Sequence, residues 1–241
     1  MADWHRIRRD LAAAHRLAVR DGLNEGTWNH FSYVSPDEPD KMLITPDTTH
    51  WRMVTASNLA LVGKDGELIE GRRKPRLAGW IIHAPVHRSR KDANCVMHVH
   101  SPYIVAMSIR TDIGFDTQLS QQAAQFHDDV AYFDVYDGLL EAEEEGYRMA
   151  EALGDKRILM LRNHGAMVVA PSVSRAYMDL YQLERACMYQ LLSGASSENQ
   201  VQRIDADVAA AMSAKVREHP DDEDYQAMVE VLDALEPDYA L

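Results

Sequence analysis

Cysteine is nearly missing from this chain: Cys95 and Cys187 are the only two among 241 residues. Cys95 lies in an apolar run and Cys187 in a helical pattern, so they form no disulfide framework, and a reduced intracellular compartment is expected. Long apolar runs are missing as well. The opening Met-Ala-Asp-Trp-His-Arg-Ile-Arg-Arg has no apolar signal core, and no stretch reaches the roughly 20 residues of a membrane span. Basic charge is in short supply. The balance of 25 Lys and Arg against 38 Asp and Glu leaves −13, which excludes a general affinity for nucleic acid or anionic membrane, since both want a basic face. There is no internal repeat and no low-complexity linker. The expectation is a cytoplasmic protein of one domain over residues 1–241, with a polar helical tail from about residue 200. Its 46% hydrophobic content is enough for one sizeable core.

Histidine is where the chain is informative. Cys95-Val96-Met97-His98-Val99-His100-Ser101-Pro102-Tyr103 reads as a buried strand that stops at Ser-Pro. Residues two apart on a strand share a face, so His98 and His100 project together. A second apolar strand, Ile158 to Leu161, runs out into Asn163-His164-Gly165. Three imidazoles around an open position are a recurring arrangement for catalytic zinc and related divalent metals.

The remaining elements fall in order. Residues 3–22 read as an amphipathic helix with Ile7, Leu11, Ala14, Leu17 and Ala18 on one face. Strands are expected at 29–34 and 42–45. A hairpin turns on Asp65-Gly66, between Leu59-Ala60-Leu61-Val62 and Leu68-Ile69. Helices are expected at 79–89, from Pro102, at 139–153 and from Pro171 to Leu192, with strands at 130–135 and 167–170. The run Glu141-Ala142-Glu143-Glu144-Glu145 reads as a solvated helix face. The whole is α/β or α+β, one sheet flanked by helices.

His83 and His87 form a rival pair, at i and i+4. The zinc-protease pattern needs a glutamate directly after the first histidine, and Ala84 stands there instead. Pro85 between them suits a helix start better than a rigid ligand face. His30 and His127 are lone histidines near strand or loop edges, either structural or facing the metal. Asp47-Thr48-Thr49 has the look of a turn or a cap.

Taken in order, these motifs resemble the class II aldolase/adducin family of sugar-phosphate aldolases. The resemblance rests on Thr27-Trp28-Asn29-His30-Phe31-Ser32, Leu43-Ile44-Thr45-Pro46, Asp65-Gly66 to Glu70-Gly71, Lys74-Pro75, His98 to Tyr103, Asn163-His164-Gly165 and Leu183-Glu184-Arg185-Ala186-Cys187. It implies a three-layer α/β/α sandwich on a mainly antiparallel sheet, a homotetramer with sites between subunits, and His98, His100 and His164 as metal ligands. C-terminal residues of a neighbouring subunit close the site in relatives, which draws attention to Tyr239.

The chain departs from the aldolases where they hold phosphate and move protons. Their Pro-Ser-Ser-Glu-like segment supplies a glutamate that ligates metal and serves as acid/base, and the aligned place here is Gly79. The two phosphate-binding serines become Leu77 and Ala78. Asp47-Thr48 replaces a Thr-Gly or Ser-Gly turn, and an aspartate opposes a bound dianion. Trp28 stands for the glycine of a Gly-Asn segment. A sugar phosphate is therefore disfavoured. What remains suits a metal-dependent carbon–carbon lyase, with decarboxylation of a non-phosphorylated hydroxylated aromatic or heteroaromatic carboxylate favoured. A non-haem iron oxygenase and an aldolase using another base are the alternatives. The metal is Mn²⁺ or Zn²⁺, with Fe²⁺ open. His30 and His127 are the candidate proton carriers and Arg76 the candidate carboxylate holder. Asn29, Asp47, Thr48 and Tyr103 are candidate substrate contacts, and Trp28, Phe31, Trp51 and Trp80 candidate aromatic walls.

Overall fold

The computed structural model describes residues 2–135, 138, 142–194, 201–219 and 223–241. In chain order the elements are α1 (Trp4–Arg20), β1 (His30–Val34), β2 (Met42–Ile44), β3 (Ala60–Val62), β4 (Leu68–Glu70), α2 (Leu77–Ser89), β5 (Cys95–Val99), α3 (Pro102–Ser108) and α4 (Gln121–Ala124). They continue with β6 (Val130–Phe133), α5 (Glu143–Leu153), β7 (Ile158–Leu161), β8 (Gly165–Ala170), α6 (Val173–Leu192), α7 (Ala206–Arg217) and α8 (Glu223–Leu235). Most expected elements appear within a residue or two. The acidic helix begins at Glu143 among the described residues, and Leu139 to Glu141 lie outside them.

The strands form one eight-stranded sheet in the order β4-β3-β2-β1-β5-β8-β7-β6. Every adjacent pair is antiparallel except β6 and β7, which run parallel, so the sheet is mixed. Alternation along the central strands divides the core. Cys95, Met97 and Val99 of β5 pack with Leu11, Leu17, Ala176 and Leu180 of α1 and α6. Val96 and, on β8, Met167 and Val169 pack with Ile81, Ile82 and Val86 of α2 and with Met149 and Leu153 of α5. Helices therefore cover both faces of the central strands.

Local chemistry explains two of the helices packed on the sheet. Asp3 accepts the Arg6 N–H at 3.1 Å and caps α1. Helix α2 carries Pro85 in its interior, not at its start. Proline cannot bond the carbonyl four residues back, here that of Ile81. That carbonyl faces Gly146 of α5, where an added Cβ would lie 2.0 Å from the oxygen. The glycine lets α5 press close, which holds α2 down on β1 and β5.

Candidate metal centre

Two strand ends and one hairpin build the centre. Strand β5 pairs with β8 in the register Val99↔Ala166, which brings His100, just after Val99, beside His164, just before Gly165. The β7–β8 hairpin is tight, with Leu161 opposite Gly165. Asn163 takes a left-handed conformation at φ 55°, which asparagine tolerates better than most residues. A Cβ on Gly165 would fall 2.2 Å from the Val99 carbonyl, so only glycine lets β8 start against β5.

One candidate ligand atom each from His98, His100 and His164 lie within 4.8 Å of one another. The outer nitrogens of two rings are already committed. His98 Nδ1 donates to the Ala166 carbonyl at 3.0 Å, and His100 Nδ1 to the Glu25 carboxylate at 2.8 Å. Such partners fix a ligating ring's tautomer and orientation. The two Nε2 atoms face each other at 2.9 Å. Burial holds the His98 pKa well below 6.5 and lowers that of His164 to about 4, so these two rings stay neutral near pH 7 and keep a lone pair for a cation. The donor set fits a divalent metal.

His30 completes the wall. It sits directly opposite His98 in the β1–β5 register, and the two rings stack at 5.2 Å. A Cβ built on Gly79 would meet the His30 ring at 3.1 Å. The His30 imidazole thus fills the space into which a side chain at 79 would extend. Burial lowers its pKa to about 3, with His100 and His164 adding repulsion.

A cavity of about 370 Å³ opens over these rings, lined among others by Glu25, Trp28, His30, Arg76, His98, His100 and His164. Arg76 gives its Nε–H to Asp47 at 3.1 Å and lies over the Trp28 ring at 5.3 Å. Asp47 thus stands behind Arg76, outside the lining. Thr48 is exposed and accepts from Arg73 at 2.7 Å. Asn29 is buried. Its Oδ1 accepts the Glu25 N–H at 2.6 Å, which braces the residue that orients His100. Its Nδ2 has no partner among the described residues.

Several expected site residues lie elsewhere. His127 precedes β6, and because β6 runs parallel to β7 it falls at the end of the sheet opposite His164; its Nδ1 meets Thr117 Oγ1 at 2.9 Å. The Tyr103 side chain packs against the main core, while its backbone N–H reaches Glu184. Phe31 and Trp51 are core residues whose rings pack tilted against each other, 4.5 Å between centres. The Trp80 indole N–H bonds Glu143 at 2.9 Å, outside the lining of that cavity. Tyr239 is fully buried within its own chain, and its hydroxyl donates to Asp233 at 2.6 Å.

Sequence reasoning passed over Glu25 and the role of Glu184. Buried Glu184 on α6 accepts from Ser101 Oγ at 2.7 Å, Tyr103 N at 3.1 Å and Ile104 N at 2.9 Å. It caps α3 from outside the helix and so pins the chain just after His100. The local hint was only Ser-Pro as a helix start; the partner of Ser101 lies more than eighty residues on, along α6.

Residues 9–191 match the Class II Aldolase and Adducin N-terminal domain, and the chain belongs to that family. It is 35% identical over 195 residues to a putative aldolase class 2 protein of Caulobacter vibrioides, covering 80% of this chain and 74% of that one. It is 30% identical over 235 residues to the decarboxylase NovR of Streptomyces niveus, covering 95% and 84%. An aldolase II superfamily protein from Pseudomonas syringae superposes with a TM-score of 0.89 at 29% identity, over 100% of this chain and 97% of the other.

Proposed function

We propose that this protein is a metal-dependent carbon–carbon lyase that decarboxylates a non-phosphorylated, hydroxylated aromatic or heteroaromatic carboxylate. The observation that carries the reading is the exchange between Gly79 and His30. At the place which the family resemblance gives to the aldolase glutamate there is no side chain, and a buried imidazole stands in its space. The likeness to a decarboxylase over 95% of the chain supports the same reading.

His98, His100 and His164 would hold the metal, Zn²⁺ or Mn²⁺, with Glu25 and the Ala166 carbonyl orienting two of the rings. The bound ion would supply Lewis acidity toward a substrate carboxylate and hydroxyl. The chain's own residues do the rest. Arg76 holds a carboxylate oxygen, and Trp28 beneath it gives the ring a flat wall. Asp47 beside Arg76 offsets the positive charge that a phosphate dianion would need. A cavity of about 370 Å³ suits one aromatic ring with its substituents. His30 takes the hydroxyl proton on its open ring nitrogen and returns it to the carbon bearing the carboxylate. As CO₂ leaves, the C–C bonding pair restores the ring as its phenolate. Atoms and charge balance, and no oxidant is consumed. By family resemblance the working unit is a homotetramer.

The test is metal analysis of purified protein together with CO₂ release from hydroxybenzoates and hydroxypyridine carboxylates, with and without oxygen. CO₂ release that is independent of O₂, with about one Zn or Mn per chain, is expected. Bound iron with O₂ consumption would replace the reading with an oxygenase. An aldehyde product without CO₂ would replace it with an aldolase using another base.

A further inference from the structure

A line of side chains, buried except at its His87 end, runs from the metal pocket through α2 to a second opening on the surface. Gly79, His83 and His87 stand at i, i+4 and i+8 on α2, one stripe of the helix. That stripe faces His30 and Ser32, at i and i+2 on β1. His30 Nδ1 meets His83 Nε2 at 3.0 Å, His83 Nδ1 meets Ser32 Oγ at 2.5 Å, and Ser32 Oγ meets His87 Nε2 at 2.7 Å. His87 Nδ1 ends the line on the Ala93 carbonyl. His87 itself borders a small cleft with Lys64, Trp80 and Arg88.

The direction of every bond follows from the last one. A carbonyl only accepts, so His87 Nδ1 carries the proton. Burial lowers the His87 pKa to about 4, so near neutral pH that is its only proton and Nε2 is bare. A bare buried Nε2 requires a donor, and Ser32 Oγ–H is the group there. The one hydroxyl proton is then spent, and the serine oxygen accepts from His83 Nδ1–H. The alternative acceptor for Ser32, the Val96 carbonyl, is 3.5 Å away and would leave His87 Nε2 without a donor. Burial also keeps His83 neutral, with its pKa well below 6.5. Its Nε2 is therefore bare and accepts from His30 Nδ1–H. The direction is the same whatever charge His30 carries.

We infer that the Ala93 carbonyl, acting through His87, Ser32 and His83, fixes the tautomer of His30 so that its Nε2 lone pair is the one left open to the pocket. His83, Ser32 and His87 are positioning residues: none lines the pocket, yet together they decide which His30 nitrogen is free. A bare Nε2 meets a hydrogen-bond donor, so the substrate atom beside it bears a proton. This selects a free hydroxyl and rejects its methyl ether or a bare keto oxygen. The substrate preference rests on His30 being the acid/base proposed above. The tautomer does not.

The test uses the full-length zinc-loaded protein labelled with ¹⁵N-histidine, read by two-bond ¹H–¹⁵N correlations that distinguish protonated from bare ring nitrogens. Expected are Nδ1–H patterns for His30, His83 and His87 in the wild type. Ser32→Ala should scramble His83 and His30 between tautomers with zinc content unchanged. In the same variant kcat should fall on the order of 10–100-fold, the range seen when a supporting hydrogen bond to a functional imidazole is lost. Ser32→Thr, which keeps the hydroxyl, should restore both. A wild-type His30 protonated on Nε2, or His83 and His30 signals unmoved in Ser32→Ala, overturns the inference. CO₂ release with the wrong tautomer would sink this chain and spare the decarboxylase; the right tautomer without turnover on any hydroxy acid would do the reverse.

Discussion

The two faces of the sheet each bury histidine, with opposite consequences. On the α1 face His15 is alone. Its Nδ1 donates to the Leu11 carbonyl at 2.7 Å, and its Nε2 accepts from Thr45 Oγ1 at 2.7 Å. Phe31 and Trp51 close over it. On the α2 face His30, His83 and His87 are bonded in series, again anchored on a carbonyl. The same device, a backbone acceptor that fixes a neutral imidazole, is used twice. On the α1 face it ends in packed core, and on the α2 face it ends at a cavity beside three further imidazoles. Burial and tautomer control alone therefore do not make a functional histidine; the open end does.

The comparison is broken most completely at the open end. His98→Ala removes the ring whose Nε2 faces that of His100 at 2.9 Å, and it is expected to abolish metal retention and turnover together. Metal analysis of the folded variant checks this, and undiminished metal would sink the site assignment. His30→Gln should keep the metal and lower kcat by roughly 10²–10⁴-fold, the usual contribution of a positioned acid/base group. Gly79→Glu tests the exchange from the other side. Its Cβ at 3.1 Å from the His30 ring makes that ring give by a few tenths of an ångström, and the carboxylate beyond it competes for the same space, so decarboxylation should fall with metal retained. Wild-type rates in Gly79→Glu would show that His30 and residue 79 do not share one space.

How much of this was legible beforehand depended on how local the signal was. His98 and His100 needed only strand periodicity, and His164 only the Asn-His-Gly hairpin after an apolar strand; both signals are carried by a few adjacent residues. The place of His127 needed the direction of β6, and an apolar stretch such as Val130 to Phe133 reads the same for parallel and antiparallel pairing. Phe31 sits beside His30 on β1 but turns to the other face, because alternate strand residues point apart, and Trp51, in a short helical turn after β2, packs on Phe31 there. His83 and His87 were visible as a helix pair, yet their partner is Ser32, more than fifty residues earlier. That contact comes from helix-on-sheet packing, which no local pattern encodes. The Gly79–His30 exchange is of the same kind. The sequence showed a missing carboxylate, and only the fold showed what had taken its space.

The smallest expected effect sharpens the comparison from the quiet face. His15 has a native pKa near 4, set by burial, against 6.5 for a free imidazole. Between those values the unfolded chain binds a proton that the folded chain refuses, so stability rises with pH across the window and is lost as pH falls through it. One such group contributes about 1.4 kcal/mol per pH unit. His15→Gln cannot titrate, so its stability should fall less steeply from pH 6.5 to pH 4.5 than that of the wild type, by about that slope. At neutral pH the variant loses about 1–3 kcal/mol from disturbed buried hydrogen bonds, while kcat and metal content stay at wild-type values. Urea midpoints at several pH values, read beside turnover, check both halves. His83 and His87 keep their own acid sensitivity in this variant, so only the difference in slope belongs to His15. Equal slopes would mean that the His15 ring is charged in the fold, and loss of turnover would mean that the two faces are coupled after all.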